Sequence, residues 1–408
     1  MVISNTAFLC GHFSAAGPVP ADSGWETVRK TEEEIANIRN FYFPEFVDFH
    51  TREVVRYEKP IGTEVSVPLR SGEEVVLGVK RLILWTMPSN MVIFAIETVF
   101  TDKDMDAVNE SLGILRNCSY YMNSSVDAFV RAAVDPIDAI YRAMSGKAVP
   151  REGYYSHLVE NGNKFKLFQI VSSQDFPEDL TERDKYLYCA GTLSRTETMN
   201  DSSVDPRYFG RVMKEHRLGV FSSWTALALL DTVTFLGNNV SGSQKEVWTE
   251  FYFGMIYIYQ LFRKTFLYQH NQLFRARAED PLMLQEELKD FERKYSFTAV
   301  SYNFLPIEVD ETISKGLDIR TEEESLNKLV AEEVTAREEE SSAKRDRFLL
   351  FLTCLASLSA VWDISCLLDE VINYEHTFNV ANWGYRLFSS ILLIGILIFA
   401  WRLQRKKR

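Results

Sequence analysis

The chain has 408 residues, 46% of them hydrophobic and 25% charged, with a formal net charge of −12. That acidic balance argues against a general nucleic-acid binder, which presents a basic stripe, so no direct nucleic-acid partner is expected. Five scattered cysteines, Cys10, Cys118, Cys189, Cys354 and Cys366, lack CxxC spacing and indicate neither a disulfide framework nor a zinc site.

The first residues, MVISNTAFLCGHFSAAG, carry no basic leader and too short an apolar run for a secretory signal. They read as an opening strand. Further strands are predicted by β-branched and aromatic runs at Val54 to Tyr57, Glu74 to Trp85, Met91 to Phe100, Lys164 to Ser172 and Lys185 to Leu193. Turn chemistry around Pro68, Ser71 and Gly72 predicts a hairpin. Helices are predicted over Asp102 to Asn117, opened by an Asp cap, and over Ser124 to Met144, broken near Pro136. Residues 1–218 are thus expected to form a mixed α/β cytoplasmic sensor domain.

After Gly219 a helical region is expected, running through residue 309 and packed on the first domain. Its two apolar runs, Val220 to Leu236 and Val247 to Tyr268, are read as buried helices and not as membrane spans. Asp231 interrupts the first, while Gln260 lies in the second and Arg263 and Lys264 follow its apolar core. Residues 310–347 form a charged stalk with few breakers after Gly316. Its glutamates include Glu322, Glu323, Glu324, Glu332, Glu333, Glu338, Glu339 and Glu340. Its sparse apolar positions, Leu326, Leu329, Val330, Val334 and Ala336, predict a solvated helix. The glutamates read as a solvated face or, in an oligomer, as a field that concentrates cations. No Pro or Gly separates Thr321 from Leu368. A continuous rod of about 48 residues would be roughly 70 Å long.

Two apolar stretches close the chain, Phe348 to Leu368 and Leu387 to Trp401. The first is long enough to cross about 30 Å of hydrocarbon. The second is shorter, with Trp383, Tyr385 and Trp401 as interfacial anchors. Lys344, Arg345 and Arg347 precede the first stretch, and Arg402, Arg405, Lys406, Lys407 and Arg408 follow the second. The connecting segment 369–386 is acidic. Because Lys and Arg are retained on the cytoplasmic side, this pattern predicts a multi-pass hairpin in the cytoplasmic (inner) membrane with both termini cytoplasmic and tail 402–408 inside. The competing reading is a pair of buried core helices. The expected fold class is an α+β membrane protein: a mixed α/β domain, a helical middle, and a stalk helix continuing into transmembrane helices 348–368 and 387–401.

No phosphate loop, HExxH, GxSxG, kinase set or GxGxxG occurs, and the six histidines lack metal-ligand spacing. No enzyme is expected, and no ligand-binding or metal-binding residue is singled out. Within the first span Thr353, Ser357 and Ala360 share a helical face with Leu350, Ile364 and Leu367. Such a stripe serves helix packing or lines a pore. The pore-lining candidates are Thr353, Ser357, Ala360, Asp363 and Ile364, with Asp369, Glu370, Asn373 and Tyr374 at the outer mouth. An ionisable residue inside a span is costly, which makes Asp363 a functional candidate, and rings of acids favour cations.

This architecture resembles the CorA-type divalent-cation transporter superfamily. Trp383, Gly384 and Tyr385 stand where that family has an aromatic-rich segment before its second span, and Arg402, Arg405, Lys406 and Lys407 match its basic tail. Arg345 and Arg347 mark the same membrane border. The family's Gly-Met-Asn filter and MPEL loop are missing; the stretch reads LLDEVINYEHTFNVANWGYR, with Asn373 and Tyr374 the nearest equivalents. The resemblance implies a homo-oligomer, a pentamer, in a lipid bilayer, handling Mg2+ or another divalent cation. A divergent CorA-like group accompanies type III CRISPR systems as membrane effectors in antiviral defence. Loss of the tripeptide and an enlarged N-terminal domain resemble that group and imply a nucleotide activator as the small-molecule ligand. The alternatives are a magnesium transporter and a membrane-tethered binding protein or enzyme without a pore.

Overall fold

Residues VISNTAFLCGHFS are apolar at both alternating sets of positions, the pattern of a strand covered on both faces. They form β1, Val2–Ser14, which pairs with β5 on one side and β6 on the other. The computed structural model describes residues 1–117, 126–147, 155–159, 164–199 and 203–372, and also 384, 388, 391, 394 and 395. The chain forms two compact units, Met1–Asn327 and Lys328–Arg408.

After β1 come β2, Glu26–Val28, and α1, Glu32–Arg39, which opens with a reciprocal capping box between Thr31 and Glu34. Helix α2, Pro44–Asp48, passes directly into a π-helical turn, Phe49–Glu53. The meander β3, Val55–Pro68, β4, Glu74–Met87, and β5, Met91–Asp104, follows. Helix α3, Met105–Arg116, starts at Asp104, whose carboxylate accepts the Asp106 and Ala107 amides. Helix α4, Asp127–Phe129, a π turn at Val130–Val134, and α5, Asp135–Ser145, make one run in which Pro136 sits in the first turn of α5. The unit continues with β6, Lys166–Ser173, α6, Leu180–Thr192, α7, Pro206–His216, β7, Arg217–Leu218, β8, Trp224–Ala228, and β9, Thr232–Asn238. Helix α8, Gly242–Val247, leads into a π-helical segment, Trp248–Tyr257, and α9, Ile258–Arg275. Last come α10, Pro281–Tyr295, α11, Phe304–Gly316, and α12, Ile319–Ile372.

The strands form one sheet in the order β2-β3-β4-β5-β1-β6-β9-β8-β7, antiparallel except for the parallel β6–β9 pair. One face of β1, with Ala7, Leu9 and Phe13, joins a core shared with α3, α5, α6 and α7. The other face is roofed by the helical run from Trp248. Phe8 stacks on Phe253 at 3.9 Å between ring centroids, and Trp224 meets Trp248 at 5.4 Å. This roof is the run Val247 to Tyr268, which is buried as the sequence implies.

The hairpin at Pro68, Ser71 and Gly72 is present; Gly72 takes φ +87° at the turn, where other residues are strained. Four expectations need correction. Lys185 to Leu193 is not a strand but the second half of α6. The cap at Asp179, which accepts the Glu182 amide, starts a helix upstream, and Gly191 lets that helix press against Leu227. Val220 to Leu236 is not helical but carries β8 and most of β9, with Asp231 in the turn between them, so the sheet continues beyond residue 218. Strand β3 runs past Tyr57 to Pro68, because a bulge between Pro60 and Thr63 absorbs Pro60 and Gly62. The stalk is broken at its start: Asp310 to Gly316 belong to α11, and Asp318 at φ +56° turns the chain into α12.

Gly316 marks the tightest point of this joint. A Cβ there would lie 2.6 Å from the Ala228 carbonyl oxygen in β8. Gly316→Ala is therefore expected to destabilise the protein by about 1–3 kcal/mol. Thermal unfolding of the purified full chain checks this, and an unchanged midpoint would show that α11 can shift freely against β8.

Candidate functional site

Helix α12 is one uninterrupted element of 54 residues. Among the described residues it is the one helix long and apolar enough to cross a membrane, and none of its apolar window is buried. Phe348, Phe351 and Trp362 are exposed, Trp362 to 69%. The helix passes the expected end of the first span and continues to Ile372, so Asp369 and Glu370, expected in a loop, lie within helical backbone.

Thr353, Ser357, Ala360, Asp363 and Ile364 are all exposed on α12, as are Arg345 and Arg347. The Thr353 hydroxyl donates to the Leu349 carbonyl at 2.8 Å, and that of Ser357 to the Thr353 carbonyl at 2.8 Å. These bonds satisfy both hydroxyls inside the helix, which suits a segment with no water around it. Asn373, Tyr374, Trp383, Tyr385, Arg405, Lys406 and Lys407 lie outside the described residues. Most of 387–401 does too, although Gly384, Phe388, Ile391, Ile394 and Gly395 are helical.

The foot of α12 is held by charge. Lys264 on α9 pairs with Glu322, and Arg263 donates to Glu323 at 3.0 Å; both basic side chains are largely buried. Asn327 hydrogen-bonds Glu292 on α10, and Leu326 is buried. Glu322 and Glu323 are therefore committed to ion pairs and are not part of a solvated face. Beside them Gln260 donates to Asp310 on α11 at 2.7 Å. Desolvation pushes the Asp310 carboxyl up to about 6, although the Gln260 bond and Arg263 pull it down.

A second constellation lies where β3 and β4 meet the two π-helical segments. Arg56 on β3 bridges Glu58 at 2.6 Å and Glu250 at 2.8 Å, and Arg81 on β4 bridges Glu58 at 2.7 Å and Glu97 at 2.6 Å. Arg56 also lies over the Trp85 ring, 5.8 Å from its centroid. Burial raises the Glu250 carboxyl, but Arg56 outweighs it and the group stays below the usual carboxylate range. The surrounding cleft has a volume near 580 Å³ and is also lined by Arg29, Lys30, Glu34, His50 and Arg52. Burial lowers the half-buried His50 to about 3, so its ring is neutral. The sequence reading missed this cleft. Its one linear trace is the pair Arg56 and Glu58, charges two apart on one strand face, and the partners come from distant elements. Among the described residues no group of three or more His, Cys, Asp or Glu could hold a metal ion.

No protein-family model matches the chain, and no curated protein sequence does. Among solved structures it is similar to the complete structure of the CorA magnesium transporter from Methanocaldococcus jannaschii. The identity is 7%, with 61% of this chain and 93% of that chain covered, at a TM-score of 0.25. A superposition that loose does not establish a shared fold. What the fold itself defines is a mixed α/β protein with a nine-stranded sheet and a long, apolar C-terminal helix.

Because the folded pKa of Asp310 lies above its unfolded value near 3.8, the group contributes stability below pH 4 that is lost as pH rises through about 6. Asp310→Asn is expected to match the wild type at pH 4 and to be more stable by about 1–3 kcal/mol at pH 7.5. Thermal melts across that range test it, and parallel pH profiles would count against the assignment.

Proposed function

We propose that this chain is a homo-oligomeric membrane protein of the CorA-like cation-transporter kind, whose α12 helices surround a cation-permeable pore. The observation that carries the reading is the apolar stretch of α12, none of it buried among the described residues, on a helix long enough to span a bilayer. Apolar surface of that length is stable only when lipid or other copies of the chain cover it. A single helical hairpin encloses no polar path, so conduction requires several copies. The stripe of Thr353, Ser357 and Ala360 would face the axis, with Asp363 near the outer end. In this reading the flanking Lys344, Arg345 and Arg347 and the basic tail would keep the stalk and both termini on the cytoplasmic side, which supports the hairpin topology.

The Gly-Met-Asn filter is missing from the sequence, so dedicated magnesium selection is not expected of this pore. Opening is assigned instead to a ligand held by the sheet-containing unit, either a divalent ion or a nucleotide signal of the kind linked to antiviral defence. Such gating needs only a few kcal/mol of difference in ligand affinity between closed and open states.

Full-length protein in liposomes is expected to pass cations in an ion-flux assay, and Asp363→Asn is expected to reduce that flux by roughly an order of magnitude. Adding Mg2+ or a nucleotide separates the two kinds of ligand. If no flux develops under any of these conditions, the pore reading fails and the helix is a tether.

A further inference from the structure

We propose that the cleft between β3, β4 and the two π-helical segments binds a phosphate-bearing small molecule. Taking this molecule to be the ligand that acts on the pore rests on the reading above; the binding itself does not. Three independent observations support the site.

The first is charge. Five Lys and Arg line the cleft against three Glu, in a chain whose net charge is −12. The inner pairs of Arg56 and Arg81 are tight, but the rim is loosely committed. Arg29 is exposed and makes no ion pair among the described residues, Lys30 reaches Glu250 only at 3.7 Å, and Arg52 is an exposed partner of Asp48. Arg29 thus has no ion pair to give up among the described residues, and Lys30 and Arg52 would exchange a long or exposed pair for a phosphate. Charge-assisted hydrogen bonds to phosphate are among the strongest available to a protein.

The second is unsatisfied polarity. Arg56 Nε and His50 Nε2 are both buried without a hydrogen-bond partner, and both residues line the cleft. One is a donor. The other is a ring nitrogen of a neutral imidazole, a donor or an acceptor according to the tautomer. Both atoms lie just beneath the cleft surface, and a ligand group that reached them through a small side-chain shift would relieve the cost of leaving them unpaired.

The third is backbone geometry. π-Helical turns are rare and concentrate at functional sites. Three occur among the described residues, and two of them, Phe49–Glu53 and Trp248–Tyr257, deliver His50, Arg52, Glu250 and Met255 to this cleft. The cleft's volume near 580 Å³ lies within the range of small-ligand sites, roughly 300–1,000 Å³.

Isothermal titration of the detergent-solubilised full chain with ADP and, separately, with pyrophosphate tests the proposal without reference to ion flux. Binding of at least one probe is expected. The double variant Arg29→Ala/Lys30→Ala is expected to weaken it by about tenfold or more at low salt. Both positions lie at the rim, so its melting temperature should match the wild type. Loss of ADP binding but not pyrophosphate binding in His50→Phe assigns the ligand to the nucleotide class, while retention of both would overturn the contact given to His50. Failure of both probes to bind, or binding unchanged in the double variant, would overturn the site while leaving the flux experiment to judge the pore.

Discussion

The ion pairs at the foot of α12 are the constraint on which the rest depends. Lys264 and Arg263 interrupt the apolar face of α9, and Glu322 and Glu323 open the charged stretch of α12. Both basic side chains are largely removed from water, so losing one partner would leave a buried charge, a cost of about 3–5 kcal/mol. The same two residues argue in the sequence against a membrane span, and in the fold they hold the first turns of α12 within the unit that carries the sheet. Asp310, half-buried next to this joint and carrying a raised pKa, makes it sensitive to protonation.

The sheet can bear such a joint because both of its faces are covered. Leu9, Phe94 and Leu112 pack within the core on one side, and the aromatic ladder through Phe8, Phe253, Phe235 and Trp248 packs on the other. The π-helical geometry at Trp248–Tyr257 sits in that second layer, where the helix must serve two partners at once. It buries Phe253 against Phe8 and still extends Glu250 to Arg56. The charged cleft is thus a direct consequence of how the roof meets the sheet.

The candidate functional elements differ in what covers them. Among the described residues nothing buries the apolar stretch of α12, which leads to the lipid and oligomer reading. The cleft is lined by its own elements but keeps loosely paired cations at its rim, which leads to a small anionic ligand. Both inferences come from one accounting of apolar and polar surface, and they fail independently.

The sequence by itself determined the elements whose signal is local and repeated. The opening strand, the meander with its Gly72 turn, the buried helix from Val247, and the unbroken helix through Phe348 to Leu368 all follow from periodicity, caps and the lack of breakers. Tertiary structure decided the elements whose apolar content fits two templates. Tyr186, Leu187 and Tyr188 suit a strand as well as a helix until the Asp179 cap and the Leu227 contact choose the helix. TVTFL suits a strand only once Val171 and Thr225 stand beside it in the sheet. Beyond the Arg56 and Glu58 pair on one strand, the foot of α12 and the charged cleft leave no local trace. Glu322 needs Lys264, and Arg56 needs Glu250 and Trp85, and pairings across such distances in the chain exist only after the fold has closed.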